Sequence, residues 1–207
     1  LLRLHFSLFL LPVFLFALSE APEIDITRSI LTFLILHLLV YPASNGYNSY
    51  MDRDETPIGG LAQPMQPTRQ LFHVTLIMDL IALALSFFIG LWFALGILLY
   101  ILASRAYSYR KIRLKRHPVA AFLTVFVFQG GWIFFLTYHA VQTHFPSQTP
   151  LLPVLVSSML IGGLYPLTQI YQYEEDLKDD VVTISYLLGR MGSFVFSALL
   201  FITATIL

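Results

Sequence analysis

The sequence contains no cysteine. That removes disulfides, thiolate metal sites and cysteine nucleophiles together, and leaves the redox compartment unread. Charge is scarce as well: 12% of the 207 residues are charged, against roughly 25% in a soluble domain. Hydrophobic residues make up 57% and the mean hydropathy is +0.74. Twelve basic and twelve acidic side chains cancel, so no net charge draws the chain to nucleic acid. Low-complexity tracts are absent, and the Gly/Pro-rich stretch "TPIGGLAQPMQPTR" reads as an irregular connection. What remains is an integral membrane protein, in which the placement of a few charges carries the information.

A helix crosses the hydrocarbon core with about 20 apolar residues. Segments near 1–18, 29–47, 71–89, 91–104, 118–140, 151–170 and 190–207 meet or approach that length. The run from Leu71 to Ala103 is too long for one span and is broken near Gly90. The reading is a polytopic all-α bundle of seven helices forming a single domain over 1–207. With this count the loops after the second, fourth and sixth helices emerge on one face. With Arg3 and Arg190 they hold every Lys and Arg except Arg28, which makes that face cytoplasmic and places the protein in an inner or plasma membrane if the source is bacterial. Arg3, the apolar run to Leu18 and "ALSEAP" also fit a signal peptide cleaved after Ser19.

Two acid clusters stand at the ends of these apolar segments, "NGYNSYMDRDET" (45–56) and "YQYEEDLKDD" (171–180). Carboxylates beside lipid point to function. Asn48, Asp52 and Glu55 fall at i, i+4 and i+7, and Gln172, Asp176 and Asp180 repeat the four-residue step, so each set is expected on one helix face. Two such faces brought together can chelate Mg²⁺, with Asn48, Asp52, Asp176 and Asp180 as ligands, and through it a diphosphate, because a hard cation takes carboxylate and phosphate oxygens. Asp54, Glu174, Glu175 and Asp179 lie off those faces and read as loop-solvating acids. The basic run "RAYSYRKIRLKRHP" (105–118) belongs to the same face. Its Arg110 and Lys115 are candidates to hold a departing diphosphate, although positive-inside anchoring or a lipid headgroup would use the same residues. Tyr107 is a candidate to line a cationic intermediate. Asp79, the single acid well inside an apolar segment, is a functional candidate by position. His37, His73 and His139 show no ligand spacing.

These residues resemble the UbiA-type membrane prenyltransferases, whose first motif is N-x-x-x-D-x-x-x-D and whose second is D-x-x-x-D. Asn48 and Asp52, with Arg53 following, match the first, and Thr56 stands where its third acid would be. Asp176 and Asp180 match the second, with Gln172 at an optional earlier position. "DVVTISYLLGRMG" resembles the continuation that places Thr183 and Gly189, and "YSYRKIRLKRHP" resembles the Tyr and Lys loop, matching at Lys115. The resemblance extends over essentially the whole chain.

It implies a bundle of about nine helices around a lipid-open cavity, with the last two lying outside this sequence, and a polyprenyl diphosphate donor bound through Mg²⁺ between the motifs. Asp52, Asp176, Asp180 and Lys115 are then the catalytic candidates. Asn48, Arg53, Glu55, Arg110, Tyr107 and Thr183 are the substrate-binding ones, with Glu55 compensating for Thr56. The acceptor is an aromatic ring or a lipid precursor. Two rivals are a cation-coupled transporter, which would want its carboxylates near the bilayer midplane, and a non-catalytic isoprenoid-binding relative, to which the thinned motifs at Thr56 and Gln172 would belong.

Overall fold

The computed structural model describes residues 1–53, 65–144 and 148–207. Among them are eight helices: α1 (Leu4–Glu20), α2 (Ile26–Asp52), α3 (Arg69–Ser86), α4 (Leu91–Ser108), α5 (Pro118–Ala140), α6 (Leu151–Leu167), the short α7 (Tyr173–Lys178) and α8 (Ile184–Ile206). Five of these, α2 to α5 and α8, are long and apolar enough to cross a membrane, while α1 and α6 are apolar but shorter. Each expected apolar segment overlaps one of the seven. The chain is thus a polytopic bundle of apolar helices.

Local chemistry explains the boundaries. The Asp25 side chain accepts a hydrogen bond from the Arg28 amide and caps the start of α2. At the other end Arg53 adopts a left-handed conformation (φ 57°) and stops α2 immediately after Asp52. The break expected near Gly90 is present: α3 ends at Ser86 and α4 begins at Leu91, with Gly90 at φ 154°, a conformation that glycine reaches without steric cost. Two helices depart from α geometry midway. In α2, Leu34–Val40 is π-helical just before Pro42, whose missing N–H and crowding ring disfavour an ordinary turn there. In α5 the π segment is Phe126–Trp132.

Helices α2, α3 and α4 pack on one another, and α5, α6 and α8 do likewise. The amino-terminal segment joins both groups: Leu10, Val13, Phe14 and Ala17 are buried in the core, and α1 contacts α2, α5 and α6. Arg28, the lone cation of the far end, donates to the carbonyls of Ala140 (2.8 Å) and Ile89 (3.0 Å). It ties the buried end of α5 to the turn between α3 and α4, which removes it from the tally of simple interfacial anchors.

Candidate active site

The carboxyl ends of α2, α4 and α6 meet the amino ends of α1, α5 and α8, and between them lies a cavity open to the outside. On α2, Tyr41, Ser44, Asn48 and Asp52 line it at steps of three and four residues, and on α4 so do Tyr100, Ser104 and Ser108. The two rows are joined across the helix interface. Asn48 Nδ2 donates to Ser108 Oγ (3.0 Å), and the Ser44 and Ser104 hydroxyls share a hydrogen bond of 2.5 Å. Arg3 of the amino-terminal segment also enters, donating from Nη2 to Asn48 Oδ1 (3.2 Å).

The loop after α4 brings cations to this end. Arg113 takes a left-handed conformation (φ 44°) and starts a 3₁₀ turn, Leu114–Arg116. That turn directs Lys115 inward, where its Nζ lies 2.6 Å from Asp52 Oδ1, with both side chains at least nine-tenths buried. Arg113 is equally buried and faces two carboxylates: Asp179 Oδ2, to which its Nη2 donates at 2.5 Å, and Asp52 Oδ1 at 3.7 Å. The loop thereby links an acid of the first cluster to an acid of the second, 127 positions on. The described part of the first acid cluster, the second cluster and the basic loop meet at one end of the bundle.

Asn48, Asp52, Tyr107, Lys115, Gln172, Asp176 and Thr183 all line the one cavity. Thr183 also caps α8, its hydroxyl accepting from the Tyr186 amide at 3.2 Å. The Tyr107 hydroxyl shares a 2.8 Å hydrogen bond with that of Tyr165. Other candidates lie apart from it. Arg110 donates to the Met51 carbonyl (2.9 Å) and so satisfies an orphan acceptor at the end of α2. Arg53 is exposed at the same helix end. Glu55 lies outside the described residues.

The expected helical face through Gln172, Asp176 and Asp180 does not extend to its last member. Helix α7 ends at Lys178, and Asp180 is exposed, in a left-handed turn (φ 54°), away from the cavity lining. Its neighbour Asp179, which spacing alone set aside, is the acid that engages Arg113.

Arg113, Asp179, Tyr165 and Arg3 are therefore the side chains that spacing missed. In a run of six cations nothing distinguishes Arg113 from Lys111, and Arg3 looked like a flanking charge on an apolar segment. Arg3 also reaches Tyr171, whose phenol burial pushes upward while the guanidinium partly offsets the shift. Asp79, the membrane-embedded acid, has a partner: the Arg105 guanidinium donates to its carboxylate from Nε (3.0 Å) and Nη2, and lies 3.9 Å from the centre of the Tyr47 ring. The charge is neutralised where it sits. Tyr47 immediately precedes Asn48, so this pair braces the helix that carries the first motif.

The Arg113–Asp179 contact should couple the two acidic loops. We expect Arg113→Gln and Asp179→Asn each to lower thermal stability, with a double-mutant coupling of about 1 kcal/mol. Arg113→Lys should recover part of the loss. Additive effects in the cycle would show that the two side chains act separately.

Among the described residues no group of three acids or histidines gathers into a ready-made metal cage. The oxygens of Asn48, Asp52 and Asp176 nevertheless share one cavity. This donor set fits Mg²⁺, which is usually held by one or two carboxylates plus substrate phosphates and water.

Comparison with curated proteins found no match. Among solved structures the chain is similar to a UbiA homolog from Archaeoglobus fulgidus bound to GPP and Mg²⁺, with TM-score 0.76 and 22% identity over 100% of this chain and 74% of that one. The same homolog bound to DMAPP and Mg²⁺ superposes with TM-score 0.76 at 21% identity, over the same shares of the two chains. A UbiA homolog from Aeropyrum pernix K1, in its apo form, gives TM-score 0.74 at 21% identity, over 99% of this chain and 77% of that one. These likenesses establish the fold. The model of the UbiA prenyltransferase family matches residues 9–207, and the chain belongs to that family.

Proposed function

We propose that this protein transfers a prenyl group from a polyprenyl diphosphate to an acceptor, an aromatic ring or a lipid precursor, and releases diphosphate. The observation that carries the reading is the convergence of Asp52 at the end of α2, Asp176 of α7 and Lys115 of the loop after α4 on one cavity. The Archaeoglobus fulgidus homolog, bound to GPP or DMAPP with Mg²⁺, supports a donor and metal of this kind. Asn48, Asp52 and Asp176 would hold Mg²⁺, with Asp180 a further candidate once the loop is rearranged around it. The metal, when bound, neutralises diphosphate and makes it a better leaving group.

The chain's own residues do the rest. Lys115, now paired with Asp52, is positioned to hold phosphate oxygens as the C1–O bond breaks and its electron pair leaves with diphosphate. Asn48 of α2 and Thr183 at the start of α8, both in the cavity lining, would orient the donor, and Tyr107, which lines the same cavity, would stabilise the allylic cation. The acceptor's nucleophilic atom then bonds to C1, and its proton passes to the released diphosphate. Catalysis here is chiefly positioning and charge stabilisation.

The seven apolar helices correspond in this reading to the first seven of about nine. The site end faces the cytoplasm, since it collects 11 of the 12 cations. Single cysteines placed at the exposed Lys111 and Tyr171 should label from the cytoplasmic side and one at the exposed Glu23 from the other. Labelling of all three from the same side would remove this topology. The function itself is tested by diphosphate release from prenyl donors of several lengths. Release should require Mg²⁺ and stop with chelator. Donor binding with no release under any acceptor would instead identify a non-catalytic isoprenoid-binding relative.

A further inference from the structure

The second acid cluster is carried by very little structure. Helix α7 has six residues, too few to keep a helical shape by their own hydrogen bonds, so Asp176 is only as well placed as the contacts that hold α7. Two of these lie beyond the acid: the Val181 amide donates to the Asp176 carbonyl (2.8 Å), and Asp179 meets Arg113. The third is Tyr173, the first residue of α7 and one turn before Asp176. Its hydroxyl donates to the Ser185 carbonyl (2.7 Å) and lies 2.7 Å from Ser185 Oγ, and its ring meets that of Tyr186 edge to face at 5.6 Å.

Ser185 is itself held in place. Helix α8 is broken at Gly189 (φ 67°, ψ 174°), a conformation open to glycine and costly for other residues, which sets residues 184–188 apart from the rest of the helix. Ser193 spans the break: its hydroxyl reaches the Gly189 carbonyl (2.8 Å), Ser185 Oγ (2.9 Å) and the Ser185 carbonyl (3.2 Å). Both serines are fully buried, where a polar group stripped of its partner is costly. The body of α8, Ser193, Ser185, Tyr173 and α7 thus form one continuous chain of contacts that ends at the acid. Ser197, one turn further along α8, is also buried, but its hydroxyl has no partner among the described residues.

Resting on the transferase reading, we infer that Tyr173 is a positioning residue for Asp176. Its hydroxyl, fixed by Ser185 and Ser193 across the break at Gly189, sets where α7 presents its carboxylate to the cavity. None of these three hydroxyl-bearing residues lines the cavity. They act as partners that orient a ligand without touching the metal, and such partners tune metal affinity nearly as strongly as the ligands themselves. Phenylalanine at position 173 keeps the ring against Tyr186 and removes only the anchor.

The test uses the full chain in lipid nanodiscs, with Mn²⁺ and inorganic pyrophosphate as the probe and bound Mn²⁺ read by electron paramagnetic resonance. Tyr173→Phe should weaken Mn²⁺ binding about tenfold. Ser193→Ala should weaken it in the same direction, and the double variant should be no worse than Tyr173→Phe, because the two groups act in series. Ser197→Ala removes a hydroxyl from the same helix outside the chain of contacts and should leave binding unchanged. In diphosphate release, Tyr173→Phe should raise the KM for Mg²⁺ and keep kcat at saturating metal, whereas simple loss of folded protein lowers kcat with that KM unchanged. Unchanged Mn²⁺ affinity in Tyr173→Phe, or an equal loss in Ser197→Ala and Ser193→Ala, would overturn the positioning role and leave the transferase reading standing. If Tyr173→Phe does not fold, unchanged affinity in Ser193→Ala overturns it instead. An unmutated chain that binds Mn²⁺ with pyrophosphate but releases no diphosphate from any donor would overturn the transferase reading and not the positioning role.

Discussion

Asp52→Asn and Asp176→Asn should each lower turnover by on the order of a hundredfold or more while leaving the protein in the membrane. Asparagine keeps the shape of aspartate and removes its charge, so the substitution tests the electrostatic role rather than packing. On the proposed mechanism neither acid alone would offer enough oxygen to hold Mg²⁺, and the described residues contain no preformed cage. The donor's phosphates would complete the shell, so loss of either acid would dismantle the same assembly. The double variant should accordingly be scarcely worse than the single ones. Asp52 carries an additional load, because Lys115 pairs with it at 2.6 Å. Asp52→Asn should therefore also lower thermal stability, whereas Asp176→Asn should affect turnover more selectively. Full turnover in either well-folded single variant, or activity undiminished by chelator, would sink the mechanism.

Lys115→Ala should reduce donor turnover by about a hundredfold, and Lys111→Ala should leave it within about twofold. The two lysines contribute equally to positive-inside bias and lie four residues apart in one basic loop. Their surroundings differ completely. Lys115 is 8% exposed and lines the cavity, while Lys111 is exposed on the loop's outer surface. If the loop served only to anchor the chain at the interface, the two substitutions would be equivalent in donor affinity and in turnover. Lys115→Arg should restore charge but not the compact ammonium geometry, and so recover only part of the rate.

Composition and apolar length were sufficient to read an all-α membrane bundle, including the break at Gly90, because burying a backbone in lipid leaves few alternatives to the helix. Spacing brought Asn48 and Asp52 to one face because α2 is regular through that stretch. It misjudged Asp180 because periodicity says nothing about where a helix stops, and α7 ends before that residue. Helix-end conformations at Arg53, Arg113 and Asp180 are all left-handed, which residue types of this kind do not announce in a sequence. Asp79 was recognisable as unusual, but its pairing with Arg105 depends on how two helices roll against each other. The same holds for Arg113, whose importance comes from Asp179 on a loop far along the chain.

The π-helical stretch in α2 has an architectural consequence. An ordinary helix advances about 100° per residue, so a stretch wound at a wider pitch resets the angular phase of everything beyond it. Leu34–Val40 lies between the half of α2 that carries Arg28 and the half that carries Ser44, Asn48 and Asp52. The first half anchors one end of the molecule and the second aims the acids into the cavity. The segment therefore works as a phase adjuster between scaffold and chemistry. Winding the same seven residues as ordinary α-helix would keep the length and the apolar character of the segment. It would also turn the Asn48–Asp52 face away from its present direction, because each α residue advances further around the axis than a π residue. Hydrophobicity would hardly register the change, yet the aim of the whole first motif depends on how that one stretch is wound.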